Sequence, residues 1–167
     1  MLWLQQQGHT VFGVELSETA LNDFNHEQSL GLQWQQDAAP PCLCGDGFRL
    51  YCADYFSLGT ADVAGATLIY DRAALIALPA DMRQKYVAHL FDMLPGPWQL
   101  LLITMDYPQN ERAGPPFAVS DNDVTLLFSG CQIELLSEQN ILPENPGFQQ
   151  QGLTSLVQRA YRIQRAG

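Results

Sequence analysis

The sequence predicts an α/β domain with a mostly parallel sheet that closes on an antiparallel pair of strands. Three observations carry this. Strand-like runs alternate with helix-like runs along the chain, with no repeat or low-complexity segment. The 167 residues are 47% hydrophobic, enough for one core and too few for two full domains. Several strand-like runs end in charged residues, where α/β sheets place their ligands. With 18 acidic against 8 basic side chains the net charge is -10, so a phosphate backbone or an anionic membrane would be repelled, and neither is an expected partner. No apolar run reaches the length of a membrane span, and the first residues lack the pattern of a secretory signal, so a soluble cytoplasmic protein is expected. Four cysteines are too few for a disulfide scaffold, and reduced, mostly buried thiols are expected.

Met1 to Gln7 reads as the end of a helix, with Gly8 suited to its C-cap. Thr10 to Leu16 reads as a short buried strand, and Ser17 as the cap of a helix whose Leu16 and Leu21 stand at hydrophobic-staple spacing. Residues 31–47 carry Pro40-Pro41 and three glycines without periodicity, and read as a loop or an irregular hairpin. Phe48 to Tyr55 and Ala66 to Tyr70 are further strands, the second running into Asp71-Arg72. Pro79 fits the first turn of a helix whose apolar stripe is Met82, Tyr86, Leu90 and Leu94, stopped by Pro95-Gly96. Gln99 to Tyr107 is a long buried strand, Gly114-Pro115-Pro116 a rigid turn, Asp121 to Phe128 a helix, and Cys131 to Leu136 and Ser155 to Ile163 the closing strands.

Some chemistries find no support. Cys42 and Cys44 are one residue apart with no second pair and no nearby histidine, which is not a zinc pattern, and no metal is expected. His9, His26 and His89 fall in separate elements, and no nucleophile elbow is visible. Glu15 stands at a strand's C-terminal end. In a nucleotide-binding βαβ unit the acid that holds the ribose follows the glycine loop by about 20 residues. Only fourteen residues precede Glu15, so the first strand and its glycine loop are expected to be missing from this chain. From position alone, Glu15 is equally an exposed residue before a helix cap.

The segments Val14-Glu15-Leu16-Ser17, Cys52-Ala53-Asp54-Tyr55-Phe56, Tyr70 to Pro79 (Tyr-Asp-Arg-Ala-Ala-Leu-Ile-Ala-Leu-Pro), Leu102 to Tyr107 (Leu-Ile-Thr-Met-Asp-Tyr) and Gly114-Pro115-Pro116-Phe117 occur in order. Together they resemble bacterial thiopurine S-methyltransferases. The resemblance covers nearly the whole chain, is strongest from Cys52 to Phe117, and weakens over 31–47 and after Gln139. At the front the chain departs from the family, whose members carry an N-terminal segment with a tryptophan and a Pro-Leu-Cys-Gly-Lys type cofactor loop.

The resemblance implies a Rossmann-like methyltransferase sheet over residues 1–167 as one N-terminally incomplete domain, whose missing first strand would lie between the strands ending at Glu15 and Asp71. It implies S-adenosylmethionine as methyl donor and a small thiol as acceptor, with selenium or tellurium compounds as further acceptors, in a protein that is monomeric when complete. Glu15 would accept the ribose hydroxyls. Asp54 would accept the adenine amine beside Tyr55 and Phe56. Arg72 would line the cofactor and substrate crevice and stabilise the substrate thiolate. Pro116 and Phe117 would form an apolar wall for a flat substrate. Without the resemblance, Arg72 is more often half of an ion pair with Asp71, Tyr55 and Phe56 are core, and Pro115-Pro116-Phe117 is equally a rigid loop. The competing class is a non-catalytic fragment that binds no cofactor. Methyl transfer from a sulfonium to a thiolate is an in-line displacement that asks mainly for orientation and charge stabilisation, so no nucleophile or general base is assigned.

Overall fold

Residues 1–166 are described by a computed structural model, and the chain divides into a unit of Met1–Ala64 and one beginning at Gly65. In the first unit, α1 (Leu2–Gln6) ends at Gly8, which takes φ +86 and donates its N–H to the Gln5 carbonyl at 2.8 Å. Glycine reaches that left-handed conformation without the Cβ penalty. β1 (Val11–Glu15) leads into α2 (Glu18–Glu27), where the Ser17 hydroxyl accepts the Ala20 N–H at 3.2 Å as the N-cap. The expected staple is not made: Leu21 is buried, but Leu16 is 73% exposed.

Residues 31–47 form a hairpin rather than a loop: β2 (Gln33–Gln35) pairs antiparallel with β3 (Cys42–Gly45). A tight turn at Asp46-Gly47, both at positive φ, then returns the chain into β4 (Phe48–Cys52), also antiparallel to β3. The sheet order is β1-β4-β3-β2, with β1 parallel to β4. Val11, Leu21, Leu32, Leu43, Phe48 and Leu50 make the core of this unit.

The second unit begins with β5 (Leu68–Asp71), a short α3 (Ala74–Ala77) that the sequence did not announce, and α4 (Ala80–Met93). Pro79 is the residue before the first helical turn, not in it. The buried face of α4 is Arg83, Tyr86, Val87, Leu90 and Met93, so the stripe includes a cation. β6 (Trp98–Asp106) follows, then α5 (Asp121–Leu127), capped reciprocally by Ser120 and Asp123. β7 (Gln132–Asn140) and β8 (Val157–Arg165) flank a short α6 (Pro146–Gln150). The order is β5-β6-β8-β7, with β5 parallel to β6 and both β8 pairings antiparallel.

The sheets are therefore mixed, and four of the six strand pairings are antiparallel where a mostly parallel sheet was expected. The hairpin over 31–47 accounts for two of them. Among the described residues β1 pairs only with β4, and β5 only with β6, so each keeps one open side.

Leu50 is fully buried, and its Cδ2 lies 2.8 Å from where a Cβ on Gly13 would stand. Leu50→Ala should destabilise by about 2 to 5 kcal/mol and Gly13→Ala by about 1 to 3 kcal/mol. The double variant should be more stable than the sum of the two losses, by about 0.5 kcal/mol or more in urea denaturation, because each change relieves the other.

Candidate functional site

In the first unit, parallel pairing sets Glu15 opposite Cys52, and the ladder runs one step further as the Ala53 N–H donates to the Glu15 carbonyl at 3.1 Å. The C-terminal ends of β1 and β4 thus lie side by side, and the residues leaving them are Glu15 and Asp54. Glu15 is exposed, and its Oε1 accepts the Ser17 N–H at 2.9 Å. Asp54 is exposed too; it caps a 3-10 turn over Tyr55–Ser57, its Oδ1 accepting the Phe56 N–H at 2.9 Å. Each carboxylate therefore spends an oxygen on a local N–H. Tyr55 and Phe56 meet edge to face, with ring centroids 5.4 Å apart. Phe56 is 38% exposed, so this aromatic pair is not sealed in the core.

In the second unit the neighbour of Arg72, Asp71, turns its carboxylate to other partners. Asp71 is buried, and its carboxylate accepts the N–H of Ala74 at 3.0 Å, that of Leu75 at 3.3 Å and the Tyr86 hydroxyl at 2.9 Å. Burial pushes this carboxyl above the usual range, while the Tyr86 hydroxyl and the backbone donors pull it back. Its lone pairs go to the start of α3 and to α4, not to Arg72. Arg72 is exposed and makes no ion pair or hydrogen bond among the described residues. The ion-pair reading fails, and a guanidinium stands free at the C-terminal end of β5.

Within the same unit a cleft of about 550 Å³ opens beside the end of β6, lined by Pro79, Arg83, Tyr107, Phe117 and Asp123 among others. Phe117 is half-buried; its N–H donates to the Ile76 carbonyl at 2.7 Å, and the Tyr107 hydroxyl donates to the Pro116 carbonyl at 2.6 Å. Pro116 and Phe117 are thus pinned from two directions, with Phe117 on the cleft wall. Arg83 lies with its guanidinium carbon 5.9 Å from the Phe117 ring centroid, and its Nε donates to the Leu78 carbonyl at 2.9 Å. Burial lowers its basicity, and Asp123 and Tyr107 oppose that. Sequence reasoning missed Arg83 and Tyr107 as cleft residues. The signal for Arg83 was its place three residues before Tyr86 on the buried stripe of α4.

All four cysteines are free thiols, and of these only Cys42 is fully buried, fewer than expected. Among the described residues no group of three or more His, Cys, Asp or Glu side chains is placed to hold a metal ion. Among the same residues no helix is long and apolar enough to cross a membrane.

The family model for thiopurine S-methyltransferase matches residues 1–166. This chain belongs to the thiopurine S-methyltransferase family. A thiopurine S-methyltransferase from a Pseudomonas fluorescens strain is 48% identical over 164 residues, covering 98% of this chain and 75% of that protein. One from Azotobacter vinelandii is 44% identical over 166 residues, covering 99% of this chain and 76% of that protein. The chain thus spans about three quarters of the length of these thiopurine S-methyltransferases. Solved structures agree on the fold. A Burkholderia thailandensis 1,6-didemethyltoxoflavin-N1-methyltransferase with bound S-adenosylhomocysteine superposes at TM-score 0.55 and 14% identity, over 96% of this chain and 64% of that one. A SAM-dependent methyltransferase from Anabaena variabilis gives 0.57 and 15%, over 94% and 68%. The fold is a methyltransferase α/β fold, here in two mixed sheets each with one open parallel edge.

The Asp71 cluster yields a signed pH effect. Its folded pKa lies above the unfolded value of 3.8, so its favourable contribution is present in acid and is lost as pH rises through the folded pKa. Removing a donor to the charged form raises that pKa further. Tyr86→Phe should therefore destabilise by about 1 to 3 kcal/mol at neutral pH and by less in acid, once Asp71 is protonated. Chemical denaturation of both proteins at several pH values checks this, and a loss that does not shrink in acid would contradict the account of Asp71.

Proposed function

We propose that this chain carries the residues of an S-adenosylmethionine-dependent thiopurine S-methyltransferase. In this reading Glu15 and Asp54, with Tyr55, hold the cofactor, Arg72 stabilises the acceptor sulfur and contacts the cofactor, and Pro116 and Phe117 present an apolar wall to a flat thiol. One observation carries it: two exposed carboxylates leave the adjacent C-terminal ends of the parallel strands β1 and β4, joined by the Ala53 to Glu15 bond at 3.1 Å. A ribose presents two neighbouring hydroxyls, and a carboxylate with an unengaged oxygen can accept both in bidentate fashion. Asp54 beside the Tyr55 and Phe56 rings offers an acceptor next to flat apolar surface, which suits an aminopurine edge and face.

When bound, the cofactor supplies an electrophilic methyl group on a sulfonium. The chain's own part is to hold, orient and balance charge. The Arg72 guanidinium, with no ion-pair partner among the described residues, can offer a two-pronged donor to a thiolate. A heteroaromatic thiol that ionises near neutrality brings its own nucleophile, so the residues need not remove a proton. The Phe117 ring, fixed by its backbone bond to Ile76, gives a flat acceptor a surface to lie against. The reading includes selenium and tellurium acceptors, which attack the methyl group through the same kind of soft lone pair, and it takes residues 1–167 as a single methyltransferase domain of a cytoplasmic protein that is monomeric when complete. The net charge of -10 supports a small-molecule acceptor over a nucleic acid.

A second reading, a chain that binds no cofactor, is favoured by the open sides of β1 and β5. Unpaired strand edges are costly and invite association with other strands. Calorimetric titration of the 167-residue chain with S-adenosylhomocysteine separates the two. Heat with a one-to-one endpoint is expected from the first reading; its absence in a folded chain supports the second. Where binding is seen, Glu15→Ala should weaken it by about 2 to 4 kcal/mol, since a charged acceptor for two hydroxyls is lost. An unchanged dissociation constant would remove Glu15 from the site. Arg72→Lys should lower methyl transfer to thiols with little change in stability, because a point ammonium does not reproduce the guanidinium fork. Equal turnover would remove Arg72 from the mechanism.

A further inference from the structure

The hairpin strand β3 carries two thiols that the methyl-transfer reading does not use. Cys42 and Cys44 are separated by one residue, Leu43, on one strand, so both side chains leave the same face of the sheet. Their sulfurs are 2.8 Å apart. Cys42 is buried, and its Sγ also lies 3.7 Å from the Gln35 Oε1 on β2; Cys44 is partly open to solvent. Across the ladder Cys42 faces Tyr51 and Cys44 faces Arg49, so a cation stands beside the pair. Burial and the neighbouring thiol push Cys42 up to about 11, and Arg49 pulls it down.

We infer that Cys42 and Cys44 form a dithiol site that captures a trivalent arsenical, or a thiophilic metalloid of the same valence, through both sulfurs at once. The spacing of the two strand positions sits at the outer end of the range a disulfide allows, which leaves room for a bridge through an added atom. A disulfide needs its sulfurs at about 2.05 Å and its Cα atoms no more than about 6.8 Å apart, while two residues of strand already span about 6.6 to 6.8 Å. Closing that bond would pull against the β3 to β4 ladder, whereas an atom bonded to both sulfurs lets them stay further apart. Soft sulfur donors match a soft acceptor, and two donors suffice for one that keeps a third substituent of its own. Two donors do not complete a zinc site, which takes four ligands. With an organoarsenic(III) oxide the step balances: two arsenic–sulfur bonds form, the arsenic–oxygen bonds break, and the two thiol protons leave with the oxygen as one water. The oxidation state of arsenic is unchanged. This inference does not rest on cofactor binding or methyl transfer.

The test uses phenylarsine oxide on the reduced, folded 167-residue chain, followed by excess 2-mercaptoethanol and intact and tandem mass spectrometry. Expected is one adduct, heavier by the reagent less one water, mapped to the peptide holding Cys42 and Cys44, resistant to the monothiol and released by dithiothreitol. Cys44→Ser should lower retention by about a hundredfold, the gain that a second tethered contact gives, while Cys52→Ser and Cys131→Ser leave it unchanged. Mapping on the unaltered chain stands whether or not a variant folds. An adduct on Cys52 or Cys131, undiminished retention in a folded Cys44→Ser chain, or capture only after denaturation would each overturn the site.

Discussion

Parallel strand pairing is the constraint from which the candidate site follows. Two parallel neighbours end on the same side of a sheet, so the turns that leave them start as neighbours, however far apart they are in sequence. In the first unit this brings Glu15 beside the Cys52-Ala53-Asp54 turn across 36 residues of intervening chain. In the second, the pairing of β5 with β6 sets Asp71 opposite Leu102, with Arg72 at the β5 exit and Asp106 and Tyr107 further along at the end of β6. Asp106 is itself engaged by Arg159 of β8 at 2.8 Å. The antiparallel strands extend these pairs and bury their cores, but Glu15, Asp54 and Arg72, the residues proposed to hold the cofactor and balance charge, leave from the parallel ends.

Asp71 shows how a buried charge can shape a turn without taking part in chemistry. Desolvation disfavours its ionised form, and the donors from α3 and Tyr86 offset that cost. The carboxylate thereby joins β5, α3 and α4 at one point. Since its acceptor capacity is turned inward, it leaves Arg72 unneutralised. An exposed guanidinium is screened within roughly a Debye length of about 8 Å in physiological salt, so its influence on a bound sulfur has to come from direct contact through its planar fork.

The parts of the fold that the sequence revealed are those where a period is long enough to be unambiguous. The fourteen residues of α4 and the apolar run of β6 were both placed to within a residue or two. The 31–47 hairpin is not legible in the sequence because β2 is only three residues long, too short to display alternation, and the Asp46-Gly47 turn lies at the far edge of a proline- and glycine-rich stretch. The staple at Leu16 and Leu21 failed because correct spacing permits a contact without compelling it. Arg72 was ambiguous for a related reason. Residues adjacent on a strand point to opposite faces, so an Asp-Arg dipeptide at a strand end is not preset to pair. Arg83 was passed over because a cation on a buried stripe contradicts the binary pattern, and such contradictions gather where a cleft needs a polar group.

The cysteine pair belongs to the same argument. One residue of spacing between two thiols has no fixed meaning by itself: in a loop the side chains can diverge, and in a helix residues two apart do not share a face. Only a strand turns that spacing into a shared face, and only pairing on both sides holds the strand flat enough for the sulfurs to stay together. β3 has both, with β2 on one side and β4 on the other. The count of ligands argues against a zinc site, but it does not speak to acceptors that need two sulfurs. What the hairpin adds is geometry, and geometry converts a pattern too small for one metal into a chelate for a smaller demand.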